Sequence, residues 1–284
     1  MPDAPPAERP PAPEPMTSRV SWQRLGSGLG VAGRVLGRAA ASVGQGAAAA
    51  WKSVDPDVFR HVVQLPVMGL TMLGPSRPPL VALADDGHRP VLFVHGLGGN
   101  RGNFMPMRAW FRLSRRSRTY AVTCRADASW DELARDLCAA IAEITQCNRL
   151  KPDAKIDLVG HSMGGLVCRL ALEDPATAAR VACLVTLGTP HAGTHAARFA
   201  QTRLVRELRP DSGLMARLQR QTPWPGPPAM PRLISLWSHA DMLLLPAGSA
   251  CVAGAENVEM PGFTHYSYLL QAASWRRVLA VLAG

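Results

Sequence analysis

Ser162 stands between two glycines in Gly160-His161-Ser162-Met163-Gly164. A serine hydroxyl is a useful nucleophile only when a base takes its proton and a carboxylate orients that base. The G-x-S-x-G pattern alone is short enough to arise by chance, and its flanks give it mechanical meaning. Residues 155–159 form a short apolar run suited to a buried strand, and residues 165–172 carry apolar side chains at helical spacing. Strand, sharp turn and helix would force the serine out at the end of a sheet, with a helix N-terminus beneath it. In so tight a turn a side chain two residues either side of the serine would clash, and glycine removes it.

With a serine on such a turn, the acid and then the base are expected to follow along the chain. Residues 233–238 read as a strand, and Asp241 falls in the loop just past its end. Residues 257–260 read as another short strand, and His265 falls in the loop past that one. Asp241 and His265 are therefore the expected acid and base. Asp174 reads as solvent-facing, and Glu207 and Asp211 as surface charges in an arginine-rich stretch. His239 reads as a pocket-lining residue or an alternative base, and His191 and His195 as pocket rim. The apolar run 90–94 feeds into His95-Gly96-Leu97-Gly98-Gly99-Asn100. A glycine-rich loop there would offer the Leu97 N–H to a developing oxyanion, and the residue after the serine, Met163, would offer the second.

Taken together, HGLGGN, GHSMGG, VTLGTPHAG, SHAD and GFTH resemble the bacterial triacylglycerol lipases and esterases of the α/β-hydrolase superfamily. The resemblance runs from about Pro90 to the C-terminus. It implies an α/β-hydrolase fold and carboxylic ester hydrolysis, with Ser162 as nucleophile, Asp241 as acid, His265 as base, and Leu97 and Met163 as oxyanion donors. It further implies that the loop with Pro190 and His191 lines the acyl pocket; His95, Gly96 and His161 join them as substrate-binding candidates. No metal or organic cofactor is required by this chemistry, and the substrate is expected to be a lipid or small ester. The alternatives are an acyltransferase of the same fold and a membrane-associated interaction protein with an idle site.

The elements that must position these residues alternate along the chain. Residues 119–124 read as a strand, and residues 129–146 as an amphipathic helix with Leu133, Leu137, Ala140, Ile141 and Ile144 on one face. After the serine unit come strand candidates at 181–187 and 233–238 and a C-terminal helix near 275–282. The alternation predicts a mostly parallel sheet covered by helices on both faces. Between 194 and 231 the pattern breaks into an Arg-, Pro- and Leu-containing insertion, expected to form a short cap. The catalytic domain is expected over 85–284.

Of the 284 residues, 47% are hydrophobic, enough for one large core, and the net charge is +10. No nucleic-acid module accompanies that charge, so nucleic acid is not an expected partner. None of the six cysteines has C-x-x-C spacing, which points to free thiols in a reducing compartment. Residues 1–18 form a Pro-rich tail expected to be disordered. The basic, apolar extension 19–84 follows; its part 19–52 has five basic and no acidic residues and is expected to contact anionic membrane or act as a linker. The apolar stretch 62–73, broken by Pro66, is too short to span a bilayer and is expected to pack beside the core or extend the substrate groove. The start of the chain lacks the pattern of a secretory signal, so a cytoplasmic, membrane-associated location is expected.

Overall fold

Six strands pair in the order β2-β1-β3-β4-β5-β6, and every pairing is parallel. They are β1 (Val91–Val94), β2 (Thr119–Val122), β3 (Ile156–His161), β4 (Val181–Leu187), β5 (Arg232–Trp237) and β6 (Glu256–Glu259). This is a computed structural model, and it describes residues 56–71, 79–199 and 202–283. The expected tail 1–18 and the expected membrane contact at 19–52 lie outside the described residues.

Alternation along the central strands divides the core in two. Leu92, Val94, Leu158 and Leu184 face one side, where α3 (Trp130–Cys147) and α4 (Met163–Ala171) cover them. Val91, Phe93, Val159 and Val185 face the other, covered by α2 (Met105–Leu113) and α9 (Ala272–Ala283). Period-two side chains buried on both faces explain why the strands read as continuous apolar runs. Helix α3 starts at a capping box: Ser129 accepts from the Glu132 N–H while Glu132 accepts from the Ser129 N–H. The expected bounds of that helix and of the strands hold to within about two residues.

The chain leaves β1 for β2 on one side, then crosses back to place β3 on the other. Strand order therefore reverses between β1 and β3, and the crevice beyond their carboxyl ends is where ligands bind in open parallel sheets. The glycine-rich loop leaves β1 there, and Ser162 leaves β3 beside it. At that close approach, a Cβ on Gly160 would lie 2.6 Å from the Cα of Gly165, and one on Gly164 would overlap the carbonyl oxygen of Val94. Gly164→Ala is expected to lower stability by about 3 kcal/mol or more, because both neighbours are backbone and cannot swing away. Thermal melts of the two proteins would check this, and an unchanged midpoint would refute the close packing.

The insertion carries two short helices, α6 (Arg203–Arg206) and α7 (Gly213–Gln219), and buries Leu204, Val205, Leu208, Leu214, Met215 and Leu218. Preceding the sheet, α1 (Pro56–Thr71) packs against the same end of it with Pro66 inside the helix. It lies N-terminal to the boundary that the sequence suggests near residue 85, yet it belongs with the sheet in one unit beginning at Asp55. No helix among the described residues is long and apolar enough to cross a membrane. All six cysteines are free thiols.

Candidate active site

Ser162 occupies the turn between β3 and α4 at φ 53° and ψ −126°. A non-glycine residue at such angles is strained, by about 1–3 kcal/mol, and persists only where its surroundings hold it. Here its N–H donates to the Leu187 carbonyl at 2.9 Å, and its own carbonyl accepts from Thr189 Oγ1 at 2.9 Å. The serine side chain caps nothing, so its hydroxyl is left to the cavity.

That cavity has a volume of about 420 Å³ and is mainly apolar. Ser162 and His265 both open onto it, with Gly96, Leu97, His161 and Pro190. Asp241 follows β5 and His265 follows β6, at the same edge of the sheet. The Nδ1–H of His265 donates to Asp241 Oδ2 at 2.9 Å, with Oδ1 at 3.1 Å. Both side chains are buried, and the Leu243 N–H also donates to the carboxylate at 3.1 Å. With Nδ1 occupied as donor, Nε2 keeps its lone pair. The structure thus brings together the three residues that the loop pattern singles out. Neither Leu97 nor Met163 donates its backbone N–H to another group among the described residues.

Two histidines hold this arrangement from behind. His161 donates from Nε2 to the carbonyl oxygen of His265 at 2.8 Å, and the two rings lie 4.8 Å apart. His95 accepts the Cys124 N–H at Nε2, 2.8 Å, which fixes its proton on Nδ1, and Nδ1 donates to the Gly96 carbonyl at 2.6 Å. Expected at the substrate, His95 is instead a buried anchor of the glycine loop and stands off the cavity wall. His191 is corrected in the same way. It is buried, donates from Nε2 to Thr186 Oγ1 at 2.9 Å and receives Arg169 Nη1 at 3.3 Å. A loop that doubles back on its strand buries its polar side chains, and spacing alone does not reveal the reversal. His239 is exposed and bonded to Glu259 at 2.8 Å, so it is no alternative base. Asp174 caps α5 (Pro175–Ala179) by accepting from the Thr177 N–H.

Sequence reasoning missed two contributions. Arg169, on the elbow helix, is fully buried, and burial draws it down to about 10. It donates to the Leu218 carbonyl and to Gln221, and so ties α4 to the insertion. Helix α1 supplies Leu65, Met68 and Gly69 to the cavity. Its Gln64 donates to Ser267 at 3.1 Å and accepts from Thr264 at 2.9 Å, gripping the loop on both sides of His265. Thr71 accepts from Asn103, which in turn accepts the Asn100 N–H. The polar residues at 60, 61, 64 and 71 were the available signal.

Burial lowers the proton affinity of His95, and drives that of His161 and His191 well below the ordinary value. The neighbouring His265 and the cationic Arg169 act in the same direction on His161 and His191 respectively. An unfolded histidine titrates near ~6.5. The stability these neutral groups allow is complete above that pH and is lost as pH falls below it. The slope is about 1.4 kcal/mol per pH unit for each histidine still neutral in the fold. Denaturant titrations from neutral to mildly acidic pH should show the decline, and His191→Asn should make it shallower. An equal slope in the variant would contradict the assignment.

A model of the alpha/beta hydrolase family matches residues 91–282, and the chain belongs to that family. Within it, the chain is 29% identical over 146 residues to a triacylglycerol lipase of Burkholderia plantarii. The match takes in 48% of this chain and 40% of that protein, so the chain spans less than half the length of this curated relative. Among solved structures, it resembles the mature form of Bacillus licheniformis lipase BlEst2, with TM-score 0.59 and 19% identity, covering 73% of this chain and 96% of that one. Aspergillus fumigatus lipase B follows at 0.58 and 16%, covering 73% and 55%. Phospholipase PlaB from Legionella pneumophila superposes at 0.57 and 13%, covering 69% and 59%. Likenesses this distant carry the fold alone.

Proposed function

We propose that this chain hydrolyses carboxylic esters of lipids through an acyl-enzyme on Ser162. The observation that carries the reading is the opening of strained Ser162 and Asp241-held His265 into one apolar cavity. Ser162 Oγ attacks the ester carbonyl as His265 Nε2 takes its proton. The N–H groups of Leu97 and Met163 receive the oxyanion, a contribution of about 3 kcal/mol for each donor. Collapse of the intermediate breaks the ester bond, and His265 returns its proton to the leaving alcohol. Water, deprotonated by the same imidazole, then releases the acid. Asp241 keeps the imidazole oriented and stabilises its cationic form.

Leu65, Met68, Val205, Leu208, Leu244 and Leu269 surround the acyl position, which favours a hydrocarbon chain over a charged group. The insertion at 194–231 serves as the cap over that position. A panel of nitrophenyl esters of increasing chain length, assayed with and without competing alcohols, tests the reading. Hydrolysis that rises with chain length beyond acetate supports it. Ester formation as the dominant product would assign the chain to acyl transfer, and silence toward every ester would overturn the proposal.

A further inference from the structure

Helix α1 is turned inside out relative to an ordinary surface helix. From residue 61 on, its polar side chains point into the protein: Gln64 bridges Thr264 and Ser267, and His61 packs on Tyr266 at 5.2 Å, while half-exposed Arg60 reaches the Gly262 carbonyl at the surface. Every exposed residue from 62 to 70 is apolar. Val62, Val63 and Val67 are 42–47% exposed and Leu70 is 67% exposed. A surface helix normally buries its apolar stripe and wets its polar one. A continuous exposed apolar face of this kind marks an interaction surface.

The position of the face says what covers it. Leu65 belongs both to this face and to the cavity wall, and exposed Leu97 and Leu243 stand at the same mouth. The insertion lines the same cavity through Ala197, Val205 and Leu208, and its Phe199 is 90% exposed. Arg198, Arg203 and Arg206 are exposed on that insertion, and neither Arg198 nor Arg206 has an acidic partner among the described residues. Another protein surface seated on this face would shut the mouth against substrate. A lipid surface would instead deliver the substrate to it, and the arginines suit anionic headgroups.

We propose that α1 and the insertion dock this chain on an anionic lipid surface, with the cavity mouth turned toward the lipid. The orientation rests on the lipid-ester reading, so binding is measured on full-length Ser162→Ala, where turnover plays no part. Flotation with phosphatidylcholine vesicles, with and without phosphatidylglycerol, should show binding that phosphatidylglycerol strengthens. Adding Val63→Asp and Leu70→Asp should lower partitioning by about tenfold or more. In the active background the same pair should leave turnover of a water-soluble ester within about twofold, since both side chains face solvent. Arg198→Ser with Arg206→Ser should remove the dependence on phosphatidylglycerol. A benzophenone amino acid at position 67 should cross-link to lipid. Cross-links to peptides from residues 1–55, or to a second copy of the chain, would overturn the proposal and identify the occupant. Unchanged partitioning in the Asp variant would overturn it as well. Vesicle binding that depends on Val63 and Leu70 in a protein inactive on every ester would leave the docking face intact and remove the chemistry.

Discussion

Ser162→Ala is expected to lower ester turnover by about 10⁴-fold or more while the protein melts within about 2 °C of wild type. The effect is large because, in the proposed mechanism, the one atom removed is the oxygen that forms the acyl bond. The melt should hold because the side chain makes no capping hydrogen bond and alanine keeps the same backbone preference. Ser162→Gly should be equally inactive yet more stable than the alanine variant by about 1–3 kcal/mol, since glycine occupies φ 53° without the Cβ penalty. A fluorophosphonate sharpens the test. Ser162 Oγ would bond to phosphorus, fluoride would leave, and His265 would take the hydroxyl proton. Intact mass should rise by one phosphonyl group in the wild type and stay unchanged in both variants. Label on a different serine, or residual turnover above about 1% in the alanine variant, would remove Ser162 from its role.

Much of this arrangement was legible because it is local. The strand before Ser162, the glycines around it and the helix after it lie within some 17 residues, and sterics alone ties them together. Asp241 and His265 were legible for a different reason: each comes a few residues after an apolar run, and parallel strands place all such loops on one edge. The corrected residues depend on long-range partners. His95 looks like part of the loop until Cys124, 29 residues on, takes its ring nitrogen. Arg169 sits in a pattern that reads as simply apolar, and its acceptors at Leu218 and Gln221 come from the insertion about 50 residues away. Asp157, near the start of a buried strand, is tolerated because Arg116 at 2.6 Å and Arg89 at 3.0 Å reach it from other loops. Burial pushes its carboxyl up even so.

Helix α1 shows the same limit from the other side. Its apolar residues were visible, and packing beside the core or the groove was expected of them. The structure puts Met68 in the core and Leu65 at the groove, but turns the remaining apolar residues outward. Periodicity locates an apolar stripe without saying which side the protein lies on. The polar residues decide it here, because Gln64 and Thr71 find buried partners at Thr264, Ser267 and Asn103.

Asp241→Asn should cost about 10⁴-fold in turnover with the fold intact, and the reason is the direction of one hydrogen bond. The carboxylate accepts from His265 Nδ1–H and from the Leu243 N–H. Asparagine has the same shape, and its carbonyl oxygen can keep the Leu243 bond. Its amide then faces Nδ1 as a donor, so the neutral imidazole is driven to carry its proton on Nε2. The lone pair that should accept the Ser162 proton is then lost, although every atom near it is in place. His161 continues to hold the His265 backbone, so ring position is preserved and only the tautomer changes. The expected signature is a fall in kcat with KM within about threefold, together with slow but complete labelling by the fluorophosphonate. Asp241→Ala would lose the orientation as well and leave a void beside Tyr268, so it should also unfold earlier. If Asp241→Asn retained more than about a tenth of wild-type turnover, the carboxylate would be structural, and His265 would owe its position to the loop that His161 and Gln64 hold.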